Sequence, residues 1–187
     1  RTIFFDIVRG CNARCRYCLT GAHGGGRAEA ITKDLFSQVL ERLLETKTID
    51  RETVVHLYNW GEPFLHPDLN GIAAVVKRLG LKYALSTNAS IRPAMTSEMV
   101  APLDRVILSL HGFSQASYDR ISGLKFAKVR ENIEELVRQL SSAGFGGTVS
   151  MSYHVYQFNV HEMREAEEFC RRWGIQFDPR YAILNEW

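Results

Sequence analysis

Three cysteines sit within one short stretch, Cys11-Asn-Ala-Arg-Cys15-Arg-Tyr-Cys18, and they carry the densest chemistry in the chain. Thiolates are soft ligands. Three on one loop can hold three corners of an iron–sulfur cube and leave the fourth iron open to bind and activate another molecule. Zinc could take the same three cysteines with His23 as a fourth ligand, closing a tetrahedral Cys3His site. A disulfide framework fits poorly. The cluster leaves an odd thiol, and the remaining cysteine, Cys170, lies far along the chain. Taken alone, the cysteines leave iron–sulfur and zinc equally open.

The cysteine loop must be positioned by regular elements, and these recur as alternating strands and helices. Strands are expected over Ile3–Val8, Thr53–Tyr58, Tyr83–Ser86, Arg105–Leu110, Thr148–Val155 and Gln176–Ile183, from their apolar, β-branched and aromatic content. Helices are expected over Lys33–Glu45 with Thr32 as N-cap, from near Asp68 to Leu79 before Gly80, near Ser97–Ala101, over Ala127–Ser141, and after Asn159. Leu35, Phe36, Val39, Leu40, Leu43 and Leu44 fall on one face of the first of these helices. Val129, Ile133, Leu136, Val137 and Leu140 fall on one face of the fourth. Asn159 and Glu162 read as a capping pair. Cys170 lies on the stripe Met163, Ala166, Phe169, Cys170 and Trp173, which makes it a buried thiol rather than a ligand. The charges Arg130, Glu131, Glu134 and Glu135 read as a solvated helix face.

Six βα-type units with short connections predict a parallel sheet. Asn59-Trp60-Gly61-Glu62-Pro63, Thr87-Asn88 and His111-Gly112 all follow strand C-termini, as does the cysteine loop. Loops of that kind converge on one face of a barrel. The predicted fold is therefore a partial (β/α)6 barrel of the TIM type, with parallel strands, open on one side.

Composition narrows the function classes. The chain has 187 residues, 45% hydrophobic and 24% charged, with a formal net charge of +2 and scattered Lys and Arg. Nothing here predicts a nucleic-acid surface, and no apolar run predicts a membrane span. Clustered, ligand-like cysteines suit a reducing, cytoplasmic compartment. The abrupt beginning and end predict one domain, residues 1–187, cut from a longer chain. No Gly-x-Ser-x-Gly elbow, Walker-type loop or G-x-G-x-x-G fingerprint is present.

Several motifs together resemble the radical S-adenosylmethionine (SAM) superfamily. Cys11-x3-Cys15-x2-Cys18, with Tyr17 before the third cysteine, resembles its cluster motif. Gly61-Glu62-Pro63 with Leu65-His66-Pro67 is similar to its glycine–glutamate segment. Ser86-Thr87-Asn88 is similar to its third-strand ending. Ser109-Leu110-His111-Gly112, Tyr118-Asp119 and Ile121-Ser122-Gly123 resemble the fourth-strand region of members carrying a SPASM or twitch extension. Two departures stand out. Trp60 replaces the usual first glycine, and His111 stands where related members usually carry aspartate.

The resemblance implies a [4Fe–4S] cluster on Cys11, Cys15 and Cys18, with SAM on its open iron. It implies SAM contacts from Tyr17, Gly61, Glu62, Pro63, Ser86, Thr87, Asn88 and Ser109. It implies radical chemistry on a peptide, protein or small-molecule substrate, and a low-potential electron donor such as flavodoxin or ferredoxin. Asn12 and the amides of the Gly-rich loop are candidate donors to the cluster sulfurs. His111 is either a substrate contact or a solvated loop residue. Tyr153, His154, Tyr156, Asp178 and Arg180 are candidates for the barrel interior, where strand alternation admits only some of them.

Overall fold

The structure is a computed structural model and describes residues 1–22 and 29–182. His23, the Gly24-Gly25-Gly26 run and Ile183 lie outside the described residues. In chain order the strands are β1 (Thr2–Phe4), β2 (Val8–Arg9), β3 (Glu29–Ala30), β4 (Val54–His56), β5 (Lys82–Thr87), β6 (Leu103–Leu110), β7 (Thr148–Val155) and β8 (Gln176–Tyr181). The helices are α1 (Leu19–Ala22), α2 (Lys33–Glu45), α3 (Leu69–Arg78), α4 (Ser97–Val100), α5 (Gln115–Ile121), α6 (Phe126–Ser142) and α7 (Met163–Trp173).

Six strands form one parallel sheet in the order β1-β4-β5-β6-β7-β8. Spatial order follows chain order without reversal. A doubly wound sheet would reverse direction at a switch point, whereas this sheet curls one way into a partial barrel. β1 and β8 are its two edges, so the barrel is open between them. Pro179 sits in β8, where an edge strand tolerates its missing N–H.

Strand alternation sorts the side chains. Val55, Leu57, Tyr83, Leu85, Val106, Leu108, Leu110, Met151 and Tyr153 are buried in the core beneath the helices. Their neighbours Ser86, Ser109, Ser152 and His154 point to the other face, the barrel interior. Helix faces match: Phe36 and Leu40 of α2, Ile72, Ala73 and Val76 of α3, Val129, Ile133, Leu136 and Leu140 of α6, and Phe169 and Cys170 of α7 are buried. Thr32 caps α2 by accepting from Leu35 N, and Asp68 caps α3 by accepting from Gly71 N.

Several expected boundaries change for identifiable reasons. The first strand stops at Phe4, not Val8. Asp6 turns toward the loop after β4, and Val8-Arg9 pairs antiparallel with Glu29-Ala30. The second strand is likewise short, ending at His56, because Asn59 and Trp60 are drawn to the Asp6 carboxylate. Leu35 does not join the buried stripe of α2. It lies at the edge of that stripe and is 51% exposed. Asn159 and Glu162 do not cap α7: neither makes a side-chain cap bond, because both are buried and bonded elsewhere. Helix α5 was not expected. Ser114 caps it by accepting from Ser117 N.

Candidate active site

Four loops at the strand C-termini meet around the cysteine segment. The first junction is made by Asp6. Its Oδ1 accepts from the backbone N–H groups of Asn59, Trp60 and Gly61 at 2.9, 2.9 and 3.0 Å. Gly61 lies so close that an added Cβ would fall 1.9 Å from Val8 O. Only glycine fits there. Glu62 N then donates to Gly10 O at 2.9 Å, directly before Cys11.

Glu62 makes the second junction. Its carboxylate accepts from Thr87 Oγ1 at 2.8 Å, Asn88 N at 2.8 Å and Phe64 N at 3.2 Å. Burial pushes the Glu62 carboxyl up to about 7, against the pull of its Asn88, Thr87 and Phe64 donors. Pro63 opens a 3-10 turn (Pro63–Leu65) that Glu62 caps. His66 holds the end of this turn, with Nε2 on Ile31 O and Nδ1 accepting from Asp68 N.

Asn88 closes on the cysteines. Its Nδ2 lies 3.5 Å from Cys11 Sγ and 3.1 Å from Asn12 Oδ1. Ala13 N also points at Cys11 Sγ, at 3.4 Å. Asn12, expected as a sulfur donor, instead gives its amide N–H to Ser90 Oγ at 2.7 Å. At Gly21 in α1, an added Cβ would fall 2.5 Å from Cys15 O. The short helix thereby packs directly on the cysteine loop.

The third junction surrounds His111, which is buried and not a solvated loop residue. Its Nδ1 meets Tyr17 OH at 2.7 Å and its Nε2 lies 3.5 Å from Cys15 Sγ. Tyr17 OH also meets His154 Nδ1 at 3.0 Å. Burial, with a smaller contribution from His154, drives His111 down to about 3, so the imidazole is neutral. A substrate contact through His111 would have to displace one of these bonds.

Asn159 and Glu162 explain how this segment is held. Asn159 Nδ2 donates to the carbonyls of His111 and His154 at 3.0 and 2.9 Å. The Glu162 carboxylate accepts from Phe113 N, Ser114 Oγ and Ser117 Oγ, the last at 2.7 Å. Tyr153 OH donates to Asn159 O at 3.0 Å, so Tyr153 belongs to this support and not to the barrel interior. Asp178 and Arg180 pair with each other at 2.7 Å. Cys170 is buried beside Met151 Sδ at 3.5 Å, in the core as its stripe predicts.

Of the residues singled out in the sequence, Cys11, Cys15, Cys18, Tyr17, Gly61, Glu62, Ser86, Thr87, Asn88, Ser109 and His111 line a single cavity of about 270 Å³. Ala13, Tyr58, Asn59, Trp60 and His154 complete its wall. Pro63 does not line it; it is buried in the turn that follows Glu62. Asp6, Gly21, Asn159 and Glu162 are the supporting residues that sequence reading missed. Asp6 had a signal: a lone carboxylate interrupting an apolar run.

The cysteines have the chemistry of unmetallated ligands. Burial, together with Cys11 and Cys18, pushes the Cys15 thiol up to about 12, and burial raises Cys11. Cysteines bind metal as thiolates, and a cation is what would offset the burial of Cys11 and Cys15 in that form. Among the described residues the hydroxyls of Tyr118 and Tyr156 are buried without a hydrogen-bond partner, and burial raises both. Among the described residues no three His, Cys, Asp or Glu side chains converge on a point where one ion could sit.

Comparison with known proteins agrees with this arrangement. The family model described as "Radical SAM superfamily" matches residues 5–170. The chain is 26% identical over 175 residues to PqqA peptide cyclase of Gluconobacter oxydans, covering 92% of this chain and 46% of that protein. It is 29% identical over 171 residues to a probable GTP 3',8-cyclase of Thermococcus kodakarensis, covering 90% and 52%. It thus spans about half the length of these curated relatives. In fold it is similar to the crystal structure of Streptococcus suis SuiB, with TM-score 0.71 and 14% identity over 97% of this chain and 40% of that one. A family match over most of the chain, on an open parallel barrel whose loops gather Cys11, Cys15 and Cys18, makes this chain a member of the radical SAM superfamily.

Proposed function

We propose that the cavity is the active site of a radical SAM enzyme. Cys11, Cys15 and Cys18 would hold a [4Fe–4S] cluster, and SAM would occupy the space between the cysteine loop and the ends of β4, β5 and β6. The observation that carries this reading is the convergence of the three thiols with Gly61, Ser86, Asn88 and Ser109 on one cavity. When bound and reduced, the cluster would supply the electron for cleavage of SAM to methionine and a 5′-deoxyadenosyl radical, the species that would take a hydrogen atom from the substrate.

The protein's part is to place, shield and hold. Asp6 fixes the Asn59–Gly61 backbone, so its polar groups are presented rigidly to the cofactor. Glu62 and Thr87 brace that wall: both line the cavity but are nearly fully buried and spend their polar atoms on the loops themselves. Asn88 and Ala13 N–H place donors beside Cys11. Ser86 and Ser109 offer hydroxyls from the barrel interior. Tyr17, packed against His111, His154 and Tyr156, closes the cavity toward β7.

The likeness to PqqA peptide cyclase supports a peptide or protein substrate. The likeness to a GTP 3',8-cyclase supports a small metabolite as the second reading. A low-potential donor such as flavodoxin or ferredoxin would supply the electron in a cytoplasmic setting. Among the described residues no helix is long and apolar enough to cross a membrane.

Anaerobic reconstitution tests the site. The chain is expected to take up about four irons. Cys11→Ala, Cys15→Ala and Cys18→Ala are each expected to abolish that uptake, and Cys170→Ala to leave it intact. Addition of SAM and a reductant is expected to yield 5′-deoxyadenosine. Stoichiometric zinc without iron–sulfur absorbance in anaerobically purified protein would overturn the assignment.

A further inference from the structure

Tyr17, His111 and His154 form a chain of hydrogen bonds that ends on a cysteine sulfur. Tyr17 OH lies 2.7 Å from His111 Nδ1 and 3.0 Å from His154 Nδ1. His111 Nε2 lies 3.5 Å from Cys15 Sγ. The chain is held from behind, because one amide group, Asn159 Nδ2, donates to the carbonyls of both histidines. A phenol has one proton and can donate to one of the two imidazoles; the other must donate to it.

Two directions satisfy this arrangement. In the free protein a Cys15 thiol can give its S–H to His111 Nε2, and His111 Nδ1–H then donates to Tyr17. Once the sulfur is a metal ligand it has no proton left. His111 must then carry its proton on Nε2 and donate to sulfur. Its Nδ1 becomes the acceptor for Tyr17 OH, and Tyr17 oxygen accepts from His154 Nδ1–H. Ligation at Cys15 therefore selects one direction along the whole chain.

We infer that His111 is a positioning residue for the cluster: it donates Nε2–H to the Cys15 sulfur, in the tautomer that ligation selects and that Tyr17 and His154 support, and raises the cluster's midpoint potential. This rests on the assignment of Cys15 as a cluster ligand. An N–H donor aimed at a ligand sulfur stabilises the more negative, reduced state, and such outer contacts tune metal centres.

The test is a redox titration of the anaerobically reconstituted chain, followed by electron paramagnetic resonance, with iron content measured on each sample. His111→Gln places an amide N–H near the position of Nε2. His111→Asn reaches only the position of Nδ1, keeping the Tyr17 partner and losing the sulfur contact. His111→Asn is expected to shift the oxidised-to-reduced ratio at fixed poise about tenfold toward oxidised, a midpoint about 59 mV lower for a one-electron couple. His111→Gln is expected to stay near wild type. Tyr17→Phe, which leaves the ring of His111 in place but removes the hydroxyl that donates to its Nδ1 and supports that tautomer, is expected to move in the direction of His111→Asn. A wild-type midpoint in His111→Asn overturns the inference alone, as does an equal shift in His111→Gln. A wild-type chain that takes up no iron overturns it together with the cysteine assignment.

Discussion

Asp6 and Gly61 lie 55 residues apart, and the Asp6 carboxylate accepts the Gly61 backbone N–H at 3.0 Å. The same oxygen takes the N–H groups of Asn59 and Trp60. One side chain after β1 thereby sets the course of the loop after β4, and with it one wall of the cavity. On the other side of Gly61 the Val8 carbonyl leaves no room for a side chain. The glycine is held between a carboxylate and a carbonyl, both from the segment that leads into the cysteines.

Gly61→Ala is therefore expected to lower stability, and not only to weaken cofactor binding. The obstructing atom is backbone and cannot rotate away, so the two segments must separate. Overpacking of this kind costs about 1–3 kcal/mol. Gly146→Ala is the control: an added Cβ there meets nothing within 4 Å, and its stability is expected to stay within about 0.5 kcal/mol of wild type. Urea denaturation of the metal-free proteins measures both. Equal midpoints for the two variants would refute the close approach at Gly61.

Glu62 predicts a pH dependence with a definite sign. Its folded value, about 7, stands above the ordinary 4.5. The protonated form is favoured in the folded protein, so its contribution is fully present below about pH 4.5 and is lost as pH rises through 7. At about 1.4 kcal/mol per unit, the loss from pH 5 to pH 8 is roughly 2–3 kcal/mol. Glu62→Gln lacks this titration. The stability of the metal-free wild type, relative to Glu62→Gln, is expected to fall by that amount between pH 5 and 8 in urea titrations. A difference that stays constant across this range would show that Glu62 does not titrate there.

Much of the fold is legible because it rests on periodicity and on chain order. The stripes of α2, α6 and α7 and the apolar strands are local patterns, and short βα connections leave few topologies open. The cavity is legible for a related reason: parallel strands put Cys11, Gly61, Asn88 and His111 at the same end of the sheet. What was not legible is long-range polar pairing. Asp6 reads as an interruption in a strand until the N–H groups it takes, more than 50 residues away, are in view. Asn159 and Glu162 have the spacing of a capping pair, and three-dimensional context diverts both to the His111 segment. His111 reads in the sequence as either a substrate contact or a solvated loop residue, because nothing local announces that Tyr17, from 94 positions earlier, covers it.

Glu162 supplies the last prediction. Its buried carboxylate accepts from Phe113 N, Ser114 Oγ and Ser117 Oγ, and it joins the start of α7 to the loop that carries His111. Removing it leaves three donors without an acceptor in a site that excludes water. Hydrogen bonds to a charged group are worth about 1.5–3 kcal/mol each, and stranded partners add desolvation costs. Glu162→Ala is expected to destabilise the chain by about 3 kcal/mol or more. Glu165→Ala, which removes a carboxylate that is 65% exposed and 4.0 Å from Arg130, is expected to change little. Hydrogen exchange gives a local check. The Phe113 amide is expected to be protected in wild type and in Glu165→Ala, and to exchange rapidly in Glu162→Ala. If Phe113 stays protected when the carboxylate is gone, another group holds the His111 loop and Glu162 is not its anchor.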